Sequence, residues 1–327
     1  MADYWNRRQL MGAGLALMAA PAVGQQVMKA IADLKPGEFT WHPQRSPSGP
    51  VAVIVSIPDQ RAHVYRGGVR IGVSTCSTGK PGHDTPTGVF TILQKDKHHR
   101  SSTYNNAPMP NMNRLTWDGV ALHAGKLPGY PASHGCVRLP MEFSEKLFEV
   151  THVGTPVIIG GGHNDPVDIV HPGLILGSYA EDEFETAEAR LKNKALPEWG
   201  AGQAATAIVV SSADRQAILL ESGRQIASGR LTLAEGRTLG EHVFVLIDTH
   251  DERRGLLWHG IGYVDAAGKP VETPSEATLR SMSGERAFLD AVHERLHPGT
   301  LLITTALPLH PDQRTEGGFV IMTTDAA

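Results

Sequence analysis

The distribution of apolar residues along the chain predicts a β-rich domain from residue 50 onward. Short runs of β-branched and aliphatic residues alternate there with turn residues such as Pro-Asp and Gly-Gly, which is typical of antiparallel strands. The predicted strands are 51–57, 61–67, 69–76, 88–94, 119–125 and 154–160. The stretch MEFSEKLFEVT (141–151) instead has apolar residues at helical spacing. We therefore expect a mainly β domain with a few helices, class α+β, over residues 50–161.

A linker is predicted over residues 162–204. It begins with the glycine-rich stretch GGGHNDP, which indicates a flexible connection. Its later part predicts a helix over 178–196, because Ser178 and Glu181 form a capping box and Pro197 ends the pattern.

The remaining residues, 205–327, repeat features of the first domain. VSIPDQRAHVYRGGVRI (55–71) aligns without a gap with VSSADRQAILLESGRQI (210–226). Three shorter matches follow in the same order, namely 88–93 with 242–247, 121–125 with 257–261, and 154–159 with 299–304. This order predicts that residues 205–327 are a degenerate second copy of the first domain's fold, the alternative being two unrelated β-meanders. The stretch Ser-His-Gly-Cys (133–136) of the first domain has no counterpart after His259, so the second copy is expected to lack the chemistry of that stretch and to be non-catalytic.

The first 24 residues have the three parts of an export signal. Arg7 and Arg8 precede an apolar run from Leu10 to Ala20, and small residues follow. The paired arginines and the weakly hydrophobic core resemble a twin-arginine (Tat) signal, which implies export to a bacterial periplasm; an ordinary amphipathic helix is the alternative. Neither this run nor any later one is long enough for a bilayer, so no membrane span is expected after processing. Residues 25–49 are expected to form a polar lead-in.

Composition and charge exclude several classes of function. The 327-residue chain has a formal net charge of −4 and no concentrated basic stretch, which argues against nucleic acid as a partner. Its 2 cysteines, Cys76 and Cys136, are too few for a disulfide framework or a Cys-rich zinc site. The histidines show no ligand spacing, so no metal and no other cofactor is expected. Nothing in the composition predicts an oligomeric state.

Cys136 and His123 are the candidates for nucleophilic catalysis. A thiol nucleophile needs a base that accepts its proton and fixed donors that bind the developing oxyanion. The Gly/Pro-rich loop after His123 can return the chain to Cys136, and the main-chain amides of 134–136 are the expected oxyanion donors. The residues alone leave open whether Cys136 is a nucleophile, an inert core thiol, a metal ligand or a disulfide partner of Cys76.

The residues around Cys136 resemble a known active-site signature. LHAGKLPGYPASHGCVRL (122–139) resembles that of the L,D-transpeptidase catalytic (YkuD-type) family, and DTPTGVFTI (84–92) resembles the Thr-Pro-x-Gly stretch of that family. The resemblance covers residues 50–160. It implies a β-rich fold in which the cysteine attacks an L,D peptide bond of a peptidoglycan stem peptide and releases D-Ala. The thioester then passes to an amine, giving a 3→3 cross-link, or to water.

The resemblance also implies roles for individual residues. Cys136 is then the nucleophile and His123 its base, while Ser133, His134 and Gly135 shape the active-site loop and oxyanion site, and Arg138 and Tyr130 contact the substrate. Two departures affect the choice of acceptor: the spacer after His123 is short, and Ala124 replaces the usual glycine.

Three alternatives therefore stay open beside cross-linking. They are an L,D-carboxypeptidase, an enzyme that attaches proteins to peptidoglycan, and a cell-wall binding module with little activity. A general cysteine protease is disfavoured, because no recognisable Asn or Asp orienter accompanies His123.

Overall fold

The structure, a computed structural model, describes most of the chain. The described residues are 31–163, 167–171, 205–222, 224–235, 237–248, 256–264, 273–309 and 320–323. The predicted signal (1–24) and the predicted linker helix (178–196) lie outside these residues. Among the described residues, no helix has the length and apolar character needed to cross a bilayer.

The described residues of the N-terminal half form short strands, one α-helix that packs on them and two short 3₁₀ helices (Ile31–Asp33 and Pro43–Arg45). The strands are β1 (Phe39–Trp41), β2 (Val51–Ser56), β3 (Arg61–Arg66), β4 (Val69–Thr75), β5 (Gly88–Thr91), β6 (Gln94–Asp96), β7 (Met112–Arg114), β8 (Ala121–Ala124), β9 (Val137–Leu139) and β10 (Pro156–Gly160), and the helix is α1 (Met141–Val150). All six predicted strands and the predicted helix are confirmed, with ends that differ by a few residues.

The C-terminal half is also built mainly of strands. They are β11 (Gly162–His163), β12 (Val167–His171), β13 (Thr206–Ser211), β14 (Gln216–Glu221), β15 (Arg224–Leu233), β16 (His242–Asp248), β17 (Leu256–Val264), β18 (Met282–Gly284), β19 (Leu301–Thr305) and β20 (Val320–Thr323). The α-helices among the described residues of this half are α2 (Glu276–Arg280) and α3 (Arg286–Arg295). The mainly β fold class predicted from the sequence is therefore confirmed.

A seven-stranded sheet forms the frame of the N-terminal half. Its order is β1-β4-β3-β2-β10-β5-β20, with β2 and β10 parallel and the other pairs antiparallel. Every residue of β2 is buried, because one face of this strand packs on α1 and its surroundings while the other packs on the second large sheet. Burial on both faces explains the continuous apolar run in place of strict alternation.

A four-stranded sheet, β6-β7-β8-β9, lies against the same core and carries the candidate site. Helix α1 follows β9 directly and buries Phe143 and Leu147. Phe39 and Trp41 of β1 pack on Phe143 with ring centroids 5.5 Å apart in each pair. Residues 25–49 were expected to be only a polar lead-in, which is wrong for β1, because its aromatic residues complete the core over α1.

The C-terminal sheet repeats the strand arrangement of the first. Its central strands are arranged in the order β15-β14-β13-β19-β16, and β13 and β19 are parallel. In the first sheet the corresponding order is β4-β3-β2-β10-β5, and β2 and β10 are the parallel pair. The register agrees as well: Val157 lies opposite Val53 and Phe90 in the first sheet, and Leu302 lies opposite Ile208 and Phe244 in the second.

Two features of the C-terminal half differ from the sequence expectation. The segment 162–204 was expected to begin as a flexible linker, but Gly162–His163 and Val167–His171 pair with β17. Strand β20, near the end of the chain, pairs with β5 of the first sheet. Both pairings join segments that lie far apart in sequence, which local composition does not reveal.

Candidate active site

Parallel pairing of β8 with β9 positions the two principal residues of the candidate site. Leu122 and Val137 lie opposite each other and point into the core, so the neighbouring side chains point to the other face. His123 lies opposite Arg138 on that face, and Cys136 comes directly before β9. The structure thus brings His123, Cys136 and Arg138 to one face of this sheet and to one cleft.

These three side chains line a cleft of about 430 Å³. The largely apolar lining residues are Tyr104, Ala107, Pro108, Met109, Pro110 and Met141, and the other lining residues are Ser101, His123, Ala124, Gly125, Lys126, Ser133, His134, Cys136 and Arg138. Lys126 and Arg138 are the formally charged side chains in this set, and no acidic side chain belongs to it. The cleft therefore suits an anionic ligand with an apolar side.

The thiol of Cys136 is protonated in the resting site. Burial raises its pKa, although the Ala121 main-chain amide and the positive charge of Arg138 act in the opposite direction. Its Sγ lies 3.3 Å from the main-chain oxygen of Gly119, to which the S–H donates. A thiol in this state needs a base before it can act as a nucleophile.

His123 has the tautomer and protonation state of such a base. Its Nδ1 lies 2.7 Å from the main-chain oxygen of Ala124, and a carbonyl oxygen only accepts, so Nδ1 carries the proton and Nε2 the lone pair. Burial, with a smaller contribution from the positive charge of Arg138, lowers the pKa of His123 to about 4 against the opposing effect of the hydrogen bond to the Ala124 carbonyl. The imidazole is therefore neutral at ordinary pH.

The Ser133–Cys136 loop is held by its own hydrogen bonds. Ser133 Oγ donates to the Cys136 main-chain oxygen and accepts the Gly135 N–H at 3.2 Å. Gly135 has φ +105°, a conformation that favours glycine. The sequence suggested all three amides of 134–136 as oxyanion donors. The Gly135 N–H is already engaged by Ser133, which leaves the amides of His134 and Cys136 as candidates.

Of the other predicted site residues, Ser133 and His134 also line the cleft. His134 is exposed, and its ring packs against those of His83 and Tyr104, with centroids 4.6 and 4.8 Å apart. Arg138 crosses Gly125 so closely that a Cβ there would lie 2.9 Å from its Cγ. Tyr130 is 62% exposed and is not among the residues that line the cleft.

Cys76 is separate from the site. It is buried at the end of β4, it packs in the core around α1, and both cysteines are free thiols. Burial raises the pKa of its thiol to about 12, so Cys76 is unreactive at ordinary pH. A disulfide with Cys136 is absent from this structure.

The segment 77–85 supports the active-site loop, which the sequence did not reveal. Ser77 pairs with Arg138, and the amide of Ser133 donates to the Thr78 main-chain oxygen at 3.0 Å. Thr85 contacts the loop from the same side through Gly135. The only sequence signal was the Thr-Pro-x-Gly stretch, which indicated the start of β5.

Among the described residues, no group of three or more His, Cys, Asp or Glu side chains is arranged to hold a metal ion.

Residues 50–159 match the family model of the L,D-transpeptidase catalytic domain. A curated relative, "Probable L,D-transpeptidase 3" of Mycobacterium tuberculosis, is 31% identical over 104 residues, which cover 27% of this chain and 38% of the relative.

Solved structures of L,D-transpeptidases are also similar to part of this chain. An L,D-transpeptidase from Mycobacterium tuberculosis is 27% identical (TM-score 0.33), and the similarity covers 34% of this chain and 57% of that one. A Stackebrandtia nassauensis L,D-transpeptidase is 29% identical (TM-score 0.32), over 36% of this chain and 58% of its own. This chain thus matches less than two thirds of the length of these relatives. The family-model match confirms the resemblance for residues 50–159.

Proposed function

Starting from an L,D-transpeptidase catalytic domain over residues 50–159, we propose that this protein is a cysteine acyltransferase acting on peptidoglycan stem peptides. Cys136 cleaves an L,D peptide bond and transfers the acyl group to an amine, giving a 3→3 cross-link. The observation that carries the proposal is the neutral His123, with its Nε2 lone pair, lining the same cleft as the Cys136 thiol.

The first half-reaction forms a thioester. His123 Nε2 accepts the Cys136 proton as Sγ attacks the carbonyl carbon of the L residue, which gives a tetrahedral oxyanion and an imidazolium. A low pKa makes the imidazole a weak base, but the negative charge that develops beside it stabilises the imidazolium. The imidazolium then donates its proton to the amine of D-Ala, the C–N bond breaks, and the acyl group stays on Sγ.

The second half-reaction regenerates the thiol. The acceptor amine attacks the thioester carbon, His123 accepts the proton released from that amine, and collapse of the intermediate expels the Cys136 sulfur, which is reprotonated. Water in place of the amine gives hydrolysis. Arg138 and Lys126 attract the carboxylates of the stem peptide, and a bidentate Arg–carboxylate contact orients the scissile bond.

We further propose that residues 205–327 are a second, non-catalytic copy of the fold. The matching strand order and register of β13–β16 and β19 support this proposal. Ser281 takes the place of Cys136, because it directly precedes β18 as Cys136 directly precedes β9. Its hydroxyl donates to the Thr278 main-chain oxygen at 2.8 Å.

Export to the periplasm by the Tat-like residues 1–24 is proposed from the sequence alone.

Mass spectrometry of muropeptide products tests the activity. Processed protein is incubated with purified tetrapeptide muropeptides beside Cys136→Ala, and Cys76→Ala serves as the matched control. Cys136-dependent dimers lacking one D-Ala establish transpeptidation, whereas Cys136-dependent tripeptide monomers identify an L,D-carboxypeptidase. Absence of any Cys136-dependent product refutes the proposal for tetrapeptide donors and favours protein attachment or a binding role.

A further inference from the structure

Thr85 joins two segments behind the active-site loop. It is buried at 5% exposure and lies just before β5. Its Oγ1 accepts the Gly79 N–H at 2.8 Å and lies 2.8 Å from the Gly135 main-chain oxygen. A hydroxyl has a single proton, and a carbonyl oxygen only accepts, so the Thr85 proton is directed at Gly135.

The position of Thr85 is fixed by close packing. A Cβ added to Gly79 would lie 2.0 Å from the His83 main-chain oxygen and 2.6 Å from the Thr85 nitrogen, so the two backbones touch. Gly79 also pairs with Ser133, which ties the same segment to the start of the active-site loop. Thr85 is therefore held closely against the loop, and it is not among the residues that line the cleft.

The hydrogen bond to Gly135 determines the orientation of the next amide. A trans peptide is planar, so the Gly135 C=O and the Cys136 N–H point in opposite directions. Holding the carbonyl towards buried Thr85 aims the Cys136 N–H away from Thr85, and of these two residues only Cys136 lines the cleft. Glycine at φ +105° has no Cβ to resist rotation of this peptide, so the hydroxyl is needed to keep one orientation.

We propose that Thr85 is a positioning residue for acyl transfer, which holds the Gly135–Cys136 peptide so that the Cys136 N–H binds the oxyanion. The inference rests on the proposed function. Without the hydroxyl the peptide also adopts the reverse orientation, in which the Gly135 carbonyl oxygen faces the cleft and repels the oxyanion.

Two reactions of the same thiol separate this role from a structural one. In acylation by S-phenyl thioacetate, Cys136 Sγ attacks the carbonyl carbon, a tetrahedral oxyanion forms, and thiophenolate leaves. In alkylation by iodoacetamide, Sγ displaces iodide at a saturated carbon, and no oxyanion forms. Only the first reaction depends on an oxyanion donor, whereas both depend on the Cys136 thiolate and on its accessibility.

The variants are Thr85→Val, which keeps the shape and removes the hydroxyl, and Thr85→Ser, which keeps the hydroxyl. Thr91→Val, at a buried threonine inside β5, is the matched control. We expect Thr85→Val to slow acylation by about 100-fold, the effect typical of losing one oxyanion donor, while alkylation changes by less than about 2-fold. Thr85→Ser and Thr91→Val should retain most of the acylation rate.

The outcomes separate this inference from the proposed function. Equal losses in both reactions, or an unchanged acylation rate, overturn the role of Thr85. If Thr85→Val does not fold, the acylation-to-alkylation ratio of Thr85→Ala decides by the same criteria. Failure of the wild-type protein to act on muropeptides while it still reacts with the thioester refutes the proposed substrate and leaves the oxyanion test valid.

Discussion

The protonation state of His123 makes a quantitative prediction about stability. The unfolded chain has an ordinary histidine pKa of about 6.5, whereas burial lowers the pKa of His123 in the fold to about 4. Between these values the unfolded state binds more protons than the folded state. Stability therefore falls as the pH decreases through this window, and it is unaffected by His123 above about pH 7.

The size of the effect follows from the two pKa values. Protonation favours the unfolded state by about 1.4 kcal/mol for each pH unit inside the window, which gives about 3 kcal/mol between pH 7 and pH 4. His123 is only 7% exposed, so solvent screening removes little of this difference. Other groups also titrate over the same range, and a variant is needed to isolate this one.

Urea denaturation at several pH values provides the assay, with His123→Asn as the non-titrating variant. We expect the loss of unfolding free energy between about pH 7 and pH 4 to be smaller in His123→Asn by about 3 kcal/mol, because the contributions of all other groups cancel in the comparison. Equal losses in both proteins would mean that His123 titrates normally in the fold. An ordinary pKa would still leave the imidazole largely neutral at pH 7, but it would refute the effect of burial from which this prediction is derived.

Three further predictions concern the thiols, the core and the loop. A thiol-reactive disulfide reagent should modify only Cys136 in the folded chain and should react with Cys76 only after denaturation, because Cys76 is buried with a pKa of about 12. Rapid modification of both cysteines in the folded protein would contradict this. Phe143→Ala should lower the unfolding free energy by about 3–5 kcal/mol in a denaturation experiment, since it removes a fully buried ring from under β1. Gly135→Ala should destabilise the fold by about 1–2 kcal/mol and slow the acylation of Cys136 by a thioester, because alanine is strained at φ +105°. An acylation rate equal to that of the wild type in a folded Gly135→Ala protein would refute this.

Local patterns were enough to predict the main elements and to suggest candidates for the principal site residues. The strands from 51 to 160 and helix α1 follow from apolar spacing and turn residues, which act over a few positions. Cys136 and His123 were identified because they lie in one short stretch with the residue types that thiol chemistry needs. The local range of these patterns also explains why β1, β11 and β12 were not predicted as strands. Their sequences resemble a lead-in segment and a linker, and only pairing with distant strands makes them part of a sheet.

Tertiary structure alone decided how these residues work together. The sequence determined that a histidine, a glycine-flanked cysteine and an arginine lie close along the chain. Only the parallel register of β8 and β9 places His123 opposite Arg138, and only the Ala124 carbonyl selects the tautomer. The engagement of the Gly135 amide by Ser133, and of its carbonyl by Thr85, depends on loop packing. Strand register and buried hydrogen bonds arise from contacts between distant segments, and no local pattern encodes them.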